Sequence, residues 1–385
     1  MTAMPLALLK EGTDVRKVLG LLALEAAVIF GGISSSFWME EWRQQREDED
    51  RYAHLLEEIY YNATLDRASI PISIASNNLA LKDALQLTVL NNAELSDAEL
   101  YDRLDHVFSY VGAAGTTAGY NRLANTSLSI PFDETMLTLD TSYEFYNGLE
   151  EGLQEIGDQI AELRAEHWRS AGMISCTGAE ANDGTVILME RPYMSEIRAL
   201  LYPDGECITQ PENAARARAL LSRPEVRNAI RQIVDLRQNA AWLMGLQQGE
   251  LEHIRAAIER RLPDVGLPIV SMELISWPLE TNETTERHAP MRSTGPHTWE
   301  ATTELSEGFM KFKANQDWSL NWGARFPDII DAPRFLWNSD RVRVEDVFPA
   351  GTAYLNGVNL PVRAGTYRVK FNARTGEYRF EPAPG

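Results

Sequence analysis

The sequence predicts a multidomain α+β protein: a single N-terminal transmembrane helix, an α-helical bundle and a C-terminal antiparallel β-sandwich. Three observations carry this reading. Residues 18–39 form one apolar run of membrane length. Apolar residues then recur every three or four positions as far as Leu262. Beyond Pro268 the period falls to two, and Gly, Pro and Asn punctuate it. The expected limits are a cytoplasmic N-terminus over 1–17 and a transmembrane helix over 18–39. A helical domain follows over 40–266, with an irregular insertion at 172–213, and then the β-module over 267–385.

The run from Val18 to Met39 is long enough to cross a bilayer once, at about 20 residues per crossing. Lys10, Arg16 and Lys17 precede it, which favours a cytoplasmic N-terminus and places residues 40–385 across the membrane. Trp38 and Trp42 suit the interfacial aromatic belt. The alternative is a cleaved signal peptide. It needs small residues at the cleavage site, and Trp38-Met39-Glu40-Glu41-Trp42 offers none. Inside the run stands Glu25, and an intramembrane carboxylate is expensive unless it meets protein or water. Two readings stay open: contact with a second membrane helix, or a protonated or snorkelling side chain of no consequence on an anchor offset toward the cytoplasm. Gly31, Gly32 and Ser34-Ser35-Ser36 allow close helix packing, which tips the reading toward self-association; the expected partners are membrane or envelope proteins and a second copy of the chain.

Tyr52, Leu55, Leu56, Ile59, Tyr60 and Ala63 make the first helical stripe outside the run, which Pro71 is expected to interrupt. Leu79, Leu81, Ala84, Leu85 and Leu87 suggest another helix. Ser96-Asp97-Ala98-Glu99 is a capping box, followed by Leu100, Leu104, Val107 and Phe108 on one face. Residues 112–135 read as loops. Tyr146, Leu149, Leu153, Ile156, Ile160, Leu163 and His167 give a coiled-coil-like seam too short for a rod, hence a bundle helix with His167 at its end. Ser222-Arg223-Pro224-Glu225 reads as a second capping box. It opens a long helix through Val226, Ile230, Ile233, Val234, Arg237, Ala241, Met244, Ile254, Ile258 and Leu262, which Gly245 and Gly249 could bend.

Strands are expected at 270–277, 299–305, 309–313, 342–347, 366–371 and 377–380, the last two forming a hairpin around Asn372–Gly376. The formal charge of −20 excludes a nucleic-acid-binding face, which needs clustered Lys and Arg. Cys176 and Cys207 lie in no Cys-x-x-Cys or Cys/His cluster, so no metal site is expected. In an oxidising compartment they suit one disulfide; two buried thiols are the alternative. No nucleophile elbow, zinc-protease motif, phosphate loop or dinucleotide fingerprint occurs, so neither a catalytic residue nor a cofactor is expected.

Two stretches carry resemblances. Glu25, Gly31-Gly32 and Trp38-Met39-Glu40-Glu41-Trp42-Arg43 are similar to an uncharacterised family of membrane-anchored bacterial proteins. More loosely similar is Asn121-Arg122-Leu123-Ala124-Asn125-Thr126. That resemblance implies an anchored helical domain and nothing catalytic; with the basic flank, the expected location is the bacterial inner membrane with the body in the periplasm. Residues 308–323, from Gly308-Phe309-Met310-Lys311-Phe312 to Trp318-Ser319-Leu320-Asn321-Trp322-Gly323, resemble the β-sandwich modules of SusE/SusF-type starch-binding outer-membrane lipoproteins. So does Leu355–Val369 with the final hairpin, while the module's opening departs from the pattern and Trp277 stands where its Trp is expected.

Such modules hold oligosaccharides by stacking sugar rings on aromatic faces. The resemblance therefore implies Trp318, Trp322 and Trp337 as stacking candidates, with Asn315, Asn321, Arg325, Asp328 and Asn338 as polar partners. Trp318 and Trp322 can equally be core residues. The expected function is a non-catalytic accessory or assembly subunit of an envelope complex, with oligosaccharide binding as the alternative.

Overall fold

In the computed structural model the described residues are 15–89, 95–109, 115–128, 132–168, 171, 178–180, 186–188, 211–278, 286–325 and 344–383. Helix α1 (Val15–Val89) runs unbroken for 75 residues, about 110 Å at 1.5 Å per residue. The expected break at Pro71 does not occur. A proline inside a helix forfeits one backbone bond. Here Ile70, Ala75 and Asn77 on either side are buried and α1 packs along α6, so tertiary contact carries the helix through.

Helix α2 (Asp97–Val107) opens on the expected capping box. Glu99 N–H donates to Ser96 Oγ at 3.3 Å, and Ser96 N–H returns a bond to Glu99 Oε2 at 2.9 Å. Leu100, Leu104, Val107 and Phe108 are all fully buried. Helix α3 (Ala118–Asn125) lies inside the stretch read as loops. Gly119 lets it lie close to α1, since a Cβ there would stand 3.1 Å from Ile59 Cγ1, tighter than an ordinary contact. The glycine that reads as a loop residue is a close-approach residue.

Helix α4 (Glu134–Leu163) starts well before the seam that betrays it, because Asp133 caps it by accepting from Met136 N–H at 2.8 Å. Tyr146, Leu149, Leu153, Ile156 and Ile160 are buried as the seam requires. A π-helical turn, Arg164–Trp168, ends it and carries His167. The insertion contains an antiparallel ribbon of β1 (Gly178–Glu180) and β2 (Val186–Leu188), and α5 (Pro211–Leu221) begins within it. Cys176 and Cys207, and with them the expected disulfide, lie outside the described residues.

Helix α6 (Pro224–Arg261) continues without a break past Gly245 and Gly249. Its N-cap is Arg223, with no side-chain cap bond, and Pro224 sits in the first turn. The second capping box is therefore not formed. Ser222 instead donates its hydroxyl back to Ala219 O at 2.6 Å, satisfying a carbonyl at the end of α5.

Strands take over from Met272. They are β3 (Met272–Pro278), β4 (Arg287–Gly295), β5 (Thr298–Leu305), β6 (Gly308–Ala314) and β7 (Asp317–Gly323), followed by a helical turn α7 (Val344–Val347). Then come β8 (Ala350–Thr352), β9 (Tyr354–Leu355), β10 (Leu360–Val362), β11 (Gly365–Asn372) and β12 (Glu377–Pro382). The expected strand at 342–347 is corrected over its described part. Phe348 N–H bonds Val344 O at 2.9 Å, and the helical turn sets Val347 and Phe348 together on the sheet's core.

The strands form one antiparallel sheet in the order β8-β12-β11-β5-β4-β3-β6-β7-β9, with β10 also on β6. Where two separate packed sheets are expected, β4 joins both halves. Residues 287–291 pair with β3, while Arg292–Gly295 pair with β5 across a bulge. The end strands β8 and β9 are joined by Ala353, so one stretch of chain pairs with β12 through β8 and with β7 through β9 and closes the sheet on itself; Ala353 N–H extends the β8–β12 pairing to Gly376 O at 2.7 Å. The result is barrel-like. Its core stacks Phe312 of β6 on Phe371 of β11 at 4.0 Å. Tyr61 and Leu65 of α1 pack against this core, and Arg374 donates to Pro263 O at 2.9 Å, so bundle and barrel touch.

Candidate functional site

Two surfaces and one buried cluster stand out. The first surface is the N-terminal part of α1. Every described side chain from Gly20 to Glu47 is exposed. Phe30, Phe37 and Trp38 are at least 70% exposed, and no residue of the most apolar stretch is buried. An apolar surface of this extent left in water would be strongly unfavourable. Directly above it the helix is amphoteric. Arg46 lies 4.2 Å from the Trp42 ring centroid, and Arg43 pairs with Glu40 at 2.6 Å and Glu47 at 3.7 Å.

Helical geometry sorts the expected contact residues. Gly32 and Ser36 follow Glu25 by seven and eleven positions, within about 20° of the same face at 3.6 residues per turn. Gly31 lies about 120° away on that count and does not share the face. The Ser35 and Ser36 hydroxyls both donate to Gly32 O, at 2.9 and 2.8 Å.

The second surface is the side of β3, β6 and β7 turned from the barrel core. Trp318 is half-buried there and stacks on Trp277 with centroids 6.0 Å apart. Lys313 Nζ stands 4.7 Å from the Trp318 ring centroid and 3.9 Å from Glu273. Lys311, buried beside them, donates to Asn321 Oδ1 at 2.9 Å, and burial pushes its ammonium down to about 8. Trp322 does not belong to this surface. Strand alternation turns it inward with Leu320, it is 3% exposed, and it meets Phe371 edge to face at 5.4 Å. It has no ring face to offer a sugar. Asn315 is also occupied, since its carboxamide binds Val270 N–H, Ser271 N–H and Pro268 O. Arg325 is exposed just beyond β7. Trp337, Asn338 and Asp328 lie outside the described residues.

The buried cluster is polar and sits where α1, α2 and α6 meet. Arg237 is 1% exposed. It donates to Asn77 Oδ1 and to the His106, Val107 and Ser109 carbonyls, from 2.7 to 3.2 Å, so it caps the C-terminal end of α2. Burial alone pushes its guanidinium down to about 9. His106 Nδ1 lies 2.9 Å from Asp83. A cation at a helix C-terminus meets the negative end of the dipole. The clue in the sequence is an arginine standing at an apolar position of the α6 period.

Further along α1, Asp66 accepts Thr116 N–H at 2.8 Å. Burial, with a smaller push from nearby Glu150, raises its carboxyl to about 6. Among the described residues no group of His, Cys, Asp and Glu is placed to hold a metal ion.

No family model, no curated protein and no solved structure matches this chain.

Proposed function

We propose that the protein is a single-pass membrane-anchored subunit whose body, on the far side of the membrane from its N-terminus, is a non-catalytic interaction module. The observation that carries this is the fully exposed apolar stretch of α1, joined without a break to the helix at the centre of the bundle. Basic residues before the stretch favour a cytoplasmic N-terminus and, with it, a periplasmic body. The anchor and the extramembrane fold share one helix, so whatever the body binds is held at a set height over the bilayer. Alkaline extraction of native membranes followed by N-terminal sequencing tests it. The protein should stay in the pellet and begin near Met1; a mature N-terminus after residue 30 would sink the proposal.

A second reading, oligosaccharide capture by the β-module, is favoured by the Trp277–Trp318 pair on the outer face of the sheet. Titrating the full-length protein with a glycan panel tests it. Binding that Trp318→Ala abolishes is the expected result, and no binding at millimolar ligand would dismiss the reading.

A further inference from the structure

We propose that the Glu25 face of α1 docks a transmembrane helix of another protein, one that carries a lysine or arginine at the same depth. This rests on the anchored reading and names the chemistry of the partner. Glu25 is the sole ionisable residue between Val18 and Met39. One turn to either side stand Leu21, Leu22, Val28 and Ile29, so its own helix supplies no counter-charge. The face it heads is built for close approach. Gly32 has no side chain and open space before it, and Ser36 spends its hydroxyl on the Gly32 carbonyl. Along this face within the apolar run, an incoming helix meets one strong hydrogen-bonding group, the Glu25 carboxylate.

Charge complementarity selects the occupant. A carboxylate in hydrocarbon is compensated best by an opposite charge at close range. A second copy offers no opposite charge, because the run contains no basic residue, and two copies could meet at this position only by holding a proton between their carboxyls. Nor does the body obstruct approach. The first buried positions above the membrane are Asp48 and Tyr52, which fall about 140–180° around α1 from Glu25 at 3.6 residues per turn. The bundle therefore begins on the opposite side.

The test uses the full-length protein in lipid vesicles, with energy transfer to synthetic apolar transmembrane peptides. The peptides are identical except for Lys or Ala at the depth of Glu25. The Lys peptide should pair about tenfold more tightly than the Ala peptide, in line with polar contacts between membrane helices. Glu25→Gln should erase the difference. Equal pairing of both peptides with the native chain overturns the inference, as does a Lys preference that survives Glu25→Gln. Glu25-dependent pairing between two labelled copies that the Lys peptide fails to displace also overturns it. Protein that leaves the vesicles on alkaline washing overturns the anchored reading itself; protein that stays but ignores the lysine overturns this inference alone.

Discussion

Asp66 ties the first helix to the segment entering α3 through one hydrogen bond from Thr116 N–H, and it does so from within the bundle. Burial, then Glu150, raises its carboxyl from 3.8 to about 6, against the lowering effect of the Thr116 bond. The folded state thus holds this proton more tightly than the unfolded chain. Its contribution to stability is fully present below pH 3.8 and is lost as pH rises through about 6. Asp66→Asn keeps an acceptor for Thr116 and removes the charge. Urea midpoints should show the variant more stable than the native protein at pH 8 and little different near pH 4. A difference that is the same at both pH values would contradict this account. Residue-scale chemistry also separates two tryptophans that look alike in the sequence. Trp322→Ala deletes a core ring and should cost about 3–5 kcal/mol in chemical denaturation. Trp318→Ala opens a half-buried surface and should cost clearly less. Equal losses would mean that both rings are core.

At the scale of elements, α1 departs most from what its sequence suggests. Pro71 forfeits one backbone bond, yet the helix on both sides is held by the buried Ile70, Ala75 and Asn77. Pro71→Ala should therefore stabilise the protein, by up to about 3 kcal/mol, the usual cost of an interior proline. Destabilisation in a denaturant titration would mean that the proline shapes the helix. What was legible follows from how local each signal is. The capping box at Ser96 and the seam of α4 involve residues within a few turns of one another, and both form as their spacing indicates. Helix α3 was hidden because its Gly119 answers to Ile59, far off in the chain. Strand β4 was hidden because it divides its pairing between two neighbours, and its Arg-His-Ala-Pro opening lacks a clear apolar face. The sheet's closure depends on the stretch 350–355 meeting β12 at one end and β7 at the other, pairings no window of sequence contains. The site shows the same division. Glu25 and its apolar run can be read directly, whereas the partnering of Trp318 with Trp277, and of Arg237 with the end of α2, exists only after folding.

For the whole molecule, the decisive feature is that one helix carries both the exposed apolar stretch, the anchor in the proposed reading, and the first helix of the bundle. Side chains 20–47 are all exposed, and from Tyr52 onward α1 buries one face in the bundle core. Solvent therefore surrounds residues 43–47, while bilayer should surround 20–39. Hydrogen exchange on the full-length protein in lipid nanodiscs reads both segments in one experiment. Exposed helical amides with no packing open readily, and amides in hydrocarbon meet no water. Peptides covering 20–39 should stay unexchanged for hours while those covering 43–47 exchange early. Exchange across 20–39 as fast as across 43–47 would show that the apolar stretch is not in the bilayer and would contradict the anchored architecture.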